Sequence, residues 1–337
     1  METLQSILDE FKLKEHFSIG QVIGFTERCF GEKSSFDELD DDGNDAEQPT
    51  RADAIKLARE VVLQPTSGTP DHYHNYAVAF ARLGEFDIAC DVLLRGLERY
   101  KANIDLLSDY LVYAIKSSKD EHYKKCEEIF DTLQLYRPQF WNWRAYDFSI
   151  DYLLDKIDRG LGEPFEIRQQ CLAIAKEFQK RIHDSELGYI AEGNVYSRFG
   201  EANKEMAILK KALIRTDLHA VQSAIALTEI YIKRNNPQEA LQCVKRVLSD
   251  FPDINARTTP SRVYVLSVIS KTAQLLSGMH SNPDHTIDKE LAKEILDDWD
   301  NVKKFSVRDQ QYFDTAKSLV KLVEVISGIK QDDDGDL

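Results

Sequence analysis

The chain is expected to fold as an all-α protein, an α-solenoid of antiparallel helix hairpins. Capping residues stand directly before prolines at Thr69-Pro70, Asn236-Pro237 and Thr259-Pro260. A proline in the first helical turn gives up no hydrogen bond there, because that N–H has no partner in any helix. Alternating apolar–polar runs joined by hairpin dipeptides do not occur, so strand signals are missing. Small residues recur on helical faces: Ala89 and Gly96 flank Leu93 in "DIACDVLLRGLERY" and leave room for another helix to come close.

Taken in order, residues 1–36 form an N-terminal helical segment with Leu4, Ile7, Leu8 and Phe11 as its apolar residues. Its charges interrupt what would have to be the apolar core of a signal peptide, so none is expected. Residues 37–50, beginning "DELDDDGNDAEQP", are acidic and nearly free of apolar side chains. They cannot bury enough surface to offset ordering entropy and read as a flexible linker. Residues 51–64 read as the second helix of an early unit, and 51–328 as the solenoid. In "YHNYAVAFARLGEFDIACDVLLRGLERY", Tyr73, Tyr76, Ala77 and Phe80 share one face of a first helix. Ala89, Leu93 and Gly96 face them from a second. The plan returns at Tyr110, Tyr113, Ala114, Cys126, Phe130 and Leu133, then at Tyr189, Gly193, Tyr196, Leu209 and Ala212. A further copy has Ala224, Leu227, Thr228, Tyr231, Ala240, Val244 and Val247.

These residues resemble the tetratricopeptide repeat (TPR), a helix–turn–helix unit of about 34 residues. The likeness spans residues 70–138 and 186–253. It departs from the family at its first core position, where the family's Trp is Tyr73, Tyr110, Tyr189 and Ala224 here, and at Glu205, where the family places Ala. The resemblance implies a TPR-like superhelix whose first helices line a groove for extended or helical peptides. Between the two blocks, Trp143, Tyr146, Ile150, Leu153 and Ile157 follow helical spacing, and "DRGLGEP" leads to a second helix with Ala173, Ala175 and Phe178. This reads as an enlarged hairpin in the same stack. Residues 260–328 supply three more helices, the last a cap with a polar outer face, and 329–337 an acidic disordered tail.

Formal net charge is -15, and the short basic clusters Lys210-Lys211, Lys245-Arg246 and Lys303-Lys304 are dispersed. No nucleic-acid partner is therefore expected, and no membrane partner either. Five widely spaced cysteines without a C-x-x-C suggest neither a disulfide framework nor zinc. With no apolar run near the roughly 20 residues of a bilayer span, the chain is expected to be cytoplasmic.

No catalytic residue, metal or cofactor is predicted. His72 and His74 stand two apart, so on a helix they point to different sides. The calcium-like "DELDDDGND" places Pro49 where a bidentate Glu is required. No phosphate-cradling glycine loop, nucleophile elbow or H-E-x-x-H occurs. The expected function is a non-enzymatic scaffold or adaptor, part of a complex, that holds a partner peptide or protein. Carrying the repeat's groove positions across gives Asn75, Val78 and Arg82; Leu111, Ile115 and Lys119; Ile190, Asn194 and Arg198; Ile225, Glu229 and Lys233. Arg82, Lys119, Arg198 and Lys233 share one repeat position and would form a basic ladder suited to an acidic peptide. Trp143 and Arg144 in "WNWRAYDF" are candidate anchors, since Trp and Arg dominate interface hot spots. The alternative is a regulatory, non-catalytic enzyme subunit with a pocket around Arg144 and Asp147 in the 141–182 hairpin.

Overall fold

A computed structural model describes residues 69–329 except 83, 138, 216–219, 251–259, 282–285 and 304–309. The segments read at 1–36, 37–50 and 51–64, and the tail past 329, lie outside the described residues. The chain divides into two compact units, one up to Ala175 and one from Lys176 onward.

The first unit holds α1 (Pro70–Arg82), α2 (Phe86–Arg99), α3 (Ile104–Lys116), α4 (Asp120–Leu135) and α5 (Trp143–Asp158), and the start of α6 (Pro164–Arg181). The second holds the end of α6, then α7 (Leu187–Arg198), α8 (Ala202–Ile214), α9 (Val221–Lys233) and α10 (Pro237–Asp250). It finishes with α11 (Pro260–Ser281), α12 (Lys289–Lys303) and α13 (Gln310–Ser327). All regular structure among the described residues is helical, and no helix there is long and apolar enough to cross a membrane.

Four of the hairpins share one closure. Gly84, Gly160, Gly200 and Asn235 each lie two residues past a helix end, with φ of 78°, 69°, 69° and 54°. The following N–H groups bond back to carbonyls five residues earlier: Glu85 to Phe80, Leu161 to Lys156, Glu201 to Tyr196 and Asn236 to Tyr231. This left-handed stop satisfies carbonyls that the helix end would leave bare. The α3–α4 turn has no glycine, and Asp87 replaces it from the preceding hairpin. Its carboxylate accepts the Ser118 N–H at 2.9 Å and the Ser118 hydroxyl at 2.6 Å, together with the Ser117 hydroxyl at 2.5 Å. Although partial burial works against the charge, these hydrogen bonds and Lys119 hold Asp87 down at about 2.

Within each unit, successive first helices pack on one another: α1 on α3, α3 on α5, α7 on α9, and α9 on α11. The second helices α2, α4, α8 and α10 each pack on their own first helix and on the next. The first helices therefore form a layer of their own. Small residues bring the helices together, with Ala77, Ala89, Ala114, Ala212 and Ala240 fully buried. A methyl on Gly96 of α2 would lie 2.9 Å from Tyr73 of α1 and 3.0 Å from Leu106 of α3. The space beside Gly96 is thus filled by the preceding helix of its hairpin and by the next hairpin as well. In the second unit, Tyr189, Leu209, Leu227 and Val244 belong to one core, and Val268, Ile295, Trp299 and Val320 to another.

Candidate functional site

Polar side chains connect the first helices to one another. In the first unit, His74 of α1 pairs with the buried carboxylate of Asp109 on α3. Asn142 caps α5 by accepting the Ala145 N–H, and it also donates to Asp105 of α3 at 2.7 Å. In the second unit, α9 starts from Ala220 without a side-chain cap of its own. Glu186, just before α7, supplies one by accepting the N–H groups of Gln222 and Ser223 at 2.9 and 2.8 Å. Glu229 of α9 pairs with Arg262 of α11. Such groups position the layer, so they are committed to the fold.

Several sequence-predicted groove residues have that structural role. Leu111 and Ile225 are buried, and Asn75 of α1 is also buried. Lys119 does not lie on a first helix: α3 ends at Lys116, and Lys119 precedes α4, 3.5 Å from Asp91 and 4.0 Å from Glu121. The residue ending α3 at the ladder position is Lys116, whose ammonium lies 5.4 Å over the Phe86 ring. Arg82 closes α1, and its side chain lies outside the described residues. Val78 and Ile190 are half-buried, whereas Asn194, Arg198 and Lys233 are exposed on α7 and α9. Arg198 and Lys233 end their helices, where positive charge complements the helix dipole.

Trp143 opens α5 and is 41% exposed. Arg144 stacks over its ring at 5.3 Å while reaching Asp105 at 3.5 Å, and Phe148 meets the indole edge-on with centroids 6.0 Å apart. The other tryptophan of the segment, Trp141, is core and donates to the Leu133 carbonyl at 2.8 Å. One turn beyond Trp143 lies Asp147. Burial, then repulsion from Asp151 a further turn along, pushes its carboxyl up to about 7. The folded protein thus binds a proton there that the unfolded chain has lost, and the associated stability falls as pH rises from about 4 to about 7. Asp147→Asn is expected to match the parent near pH 4 and to be the more stable of the two near pH 8 in urea unfolding. Equal stability of parent and variant at both ends would contradict this.

Three of the described thiols are muted. The thiols of Cys126 and Cys171 are buried and pushed up to about 12, and Cys90 is raised further, so none is a nucleophile at neutral pH. A cleft of about 500 Å³ in the second unit is lined by Pro237, Gln238, Gln274, Leu275, Met279 and Leu291 among others, none of them from 141–182.

The class these features define is a helical-repeat protein built of TPR-like hairpins. No protein-family model and no curated protein matches the chain. Solved structures of similar fold include TTC0263, a thermophilic TPR protein of Thermus thermophilus, at 21% identity and a TM-score of 0.43. That match covers 61% of this chain and all of the other. The human IFIT1 dimer with PPP-AAAA is 11% identical with a TM-score of 0.40, covering 96% of this chain and 68% of that one. The same dimer with m7Gppp-AAAA is 12% identical with a TM-score of 0.41 and the same coverage. The exclusion of nucleic acid made above stands corrected: the IFIT1 structures are solved with such ligands. Net charge is a whole-molecule quantity, whereas binding depends on the local field, so an acidic total excludes no class of partner.

Proposed function

We propose that the chain is a non-enzymatic interaction scaffold that holds a segment of a partner protein along its layer of first helices. One observation carries this reading. The first helices lie between neighbouring hairpins, yet α7 and α9 keep a row of solvent-facing residues: Asn194, Arg198, Gln222 and Lys233. A layer with aligned exposed side chains suits an extended or helical segment that touches several repeats in turn. In the first unit, α5 of that layer exposes Trp143, with Arg144 bracing the indole. Free Cys90, Cys126, Cys171 and Cys243 support placing this scaffold in the reducing cytoplasm.

Site-specific photo-crosslinking tests the assignment. A photoreactive residue at Asn194 of α7 is expected to capture a defined protein from the native cell extract. The same residue at Gln242, exposed on the second helix α10, is expected to capture none of it. Equal capture from both positions, or capture from Gln242 alone, would place the binding surface elsewhere.

A further inference from the structure

The first unit satisfies its partly buried carboxylates with care. Asp87 is held by Ser117 and Ser118, Asp105 by Asn142 and Arg144, and Asp109 by His74. Glu127 accepts from Tyr152 at 2.8 Å and from Lys156 at 2.9 Å, and Asp155 accepts from Arg159 at 2.6 Å. Half-buried Asp147 and exposed Asp151 are not held in this way. They stand one turn apart on α5, hence on one face of the helix. Neither takes an ion-pair partner or hydrogen bond among the described residues, and Lys116 attracts Asp151 only from a distance. Two carboxylates one turn apart on a helix repel each other. On the same face, one turn before Asp147, stands the exposed and braced indole of Trp143.

We infer that this face of α5 docks an arginine-bearing peptide segment of a partner protein, a guanidinium bridging Asp147 and Asp151 and its aliphatic stem lying on Trp143. Charge complementarity selects the occupant. The planar fork of arginine donates to two carboxylates at once, and an indole offers apolar area with little side-chain entropy left to lose. Repulsion between the two aspartates favours the bound state, because the incoming cation relieves it. The inference rests on the scaffold reading above and adds the chemistry of the segment that is held.

The test is fluorescence anisotropy of a labelled oligo-arginine titrated with the full chain, with oligo-glutamate of equal length alongside. The Asp147→Asn/Asp151→Asn double variant is expected to bind oligo-arginine about tenfold more weakly. A charge-matched control, Glu98→Gln/Asp131→Asn at exposed sites on α2 and α4, is expected to change affinity by less than about twofold, as distant surface charges do. Trp143→Ala is expected to weaken binding as well, which bulk attraction to an acidic protein would not produce. Helical circular dichroism should be kept in all variants, since each aspartate change removes repulsion. Loss of affinity in the control equal to that in the double variant, no effect of Trp143→Ala, or oligo-glutamate bound as tightly would each overturn the inference. Crosslinking at Asn194 is read in the other unit, so a negative result here leaves the scaffold reading separately testable.

Discussion

Gly188→Ala is expected to destabilise the second unit by about 2–3 kcal/mol. The new Cβ would lie 2.8 Å from the backbone nitrogen of Gln179 and 3.1 Å from its Cα. Backbone atoms in a helix cannot swing aside, so α6 and α7 would have to separate. Separation would also strain the polar contact that joins them, in which the Gln179 amide donates to the Gly188 carbonyl at 3.1 Å and to buried Glu192 at 2.6 Å. Gly193→Ala provides the internal comparison. Its nearest neighbour would be Leu209 at 3.4 Å, an ordinary contact, and helix propensity favours alanine by about 1 kcal/mol. Urea unfolding followed through Trp299 should show the first variant losing stability and the second keeping or gaining it. The reverse order would mean that close helix approach does not set the packing.

Lys271→Met is expected to cost about 3–5 kcal/mol. Lys271 is 8% exposed on α11, and its ammonium lies 2.8 Å from Asp298 and 3.1 Å from Glu294 of α12. Burial works against its charge, but these partners more than offset it and raise its pKa above the ordinary lysine value. Asp298 is itself buried, and without Lys271 it would keep only the Ser267 hydroxyl at 2.6 Å. An unpaired carboxylate inside the α11–α12 contact is the source of the cost, so Lys271→Met/Asp298→Leu should regain most of the loss. Because the folded pKa is raised, the contribution is intact below the ordinary lysine pKa and disappears as pH rises through the folded value. Thermal unfolding of the single and double variants checks this: a double variant as weak as the single one would refute the ion-pair explanation.

The hairpin architecture was largely legible in the sequence, because proline after a capping residue and glycine after a helix are local signals with local causes. Pro70, Pro237 and Pro260 begin helices as expected, and Gly84 and Gly200 stop them. The register of the second hairpin was harder to read. Its small residues Ala114 and Cys126 reproduce the spacing of Ala77 and Ala89, but its turn lacks glycine and depends on Asp87, thirty residues earlier in sequence. The repeat spacing therefore points to Lys119 for the basic position, whereas the residue ending α3 is Lys116. Groove residues proved less legible than hairpins for a related reason. Whether Glu229 or Arg144 faces a partner or a neighbouring helix depends on Arg262 and Asp105, each more than thirty residues away. The Asp147–Asp151 pair carried a readable signal, two aspartates one turn apart beside an aromatic. Asp155 is set apart from it in the sequence itself, by Arg159 four residues on.

The account depends on the first helices forming the layer that receives a partner. Hydrogen–deuterium exchange of the full chain, with and without the protein captured through Asn194, tests this most directly. Slowed exchange in α7 and α9, with α8 and α10 unchanged, is the predicted result. Protection confined to α8 and α10 would contradict it.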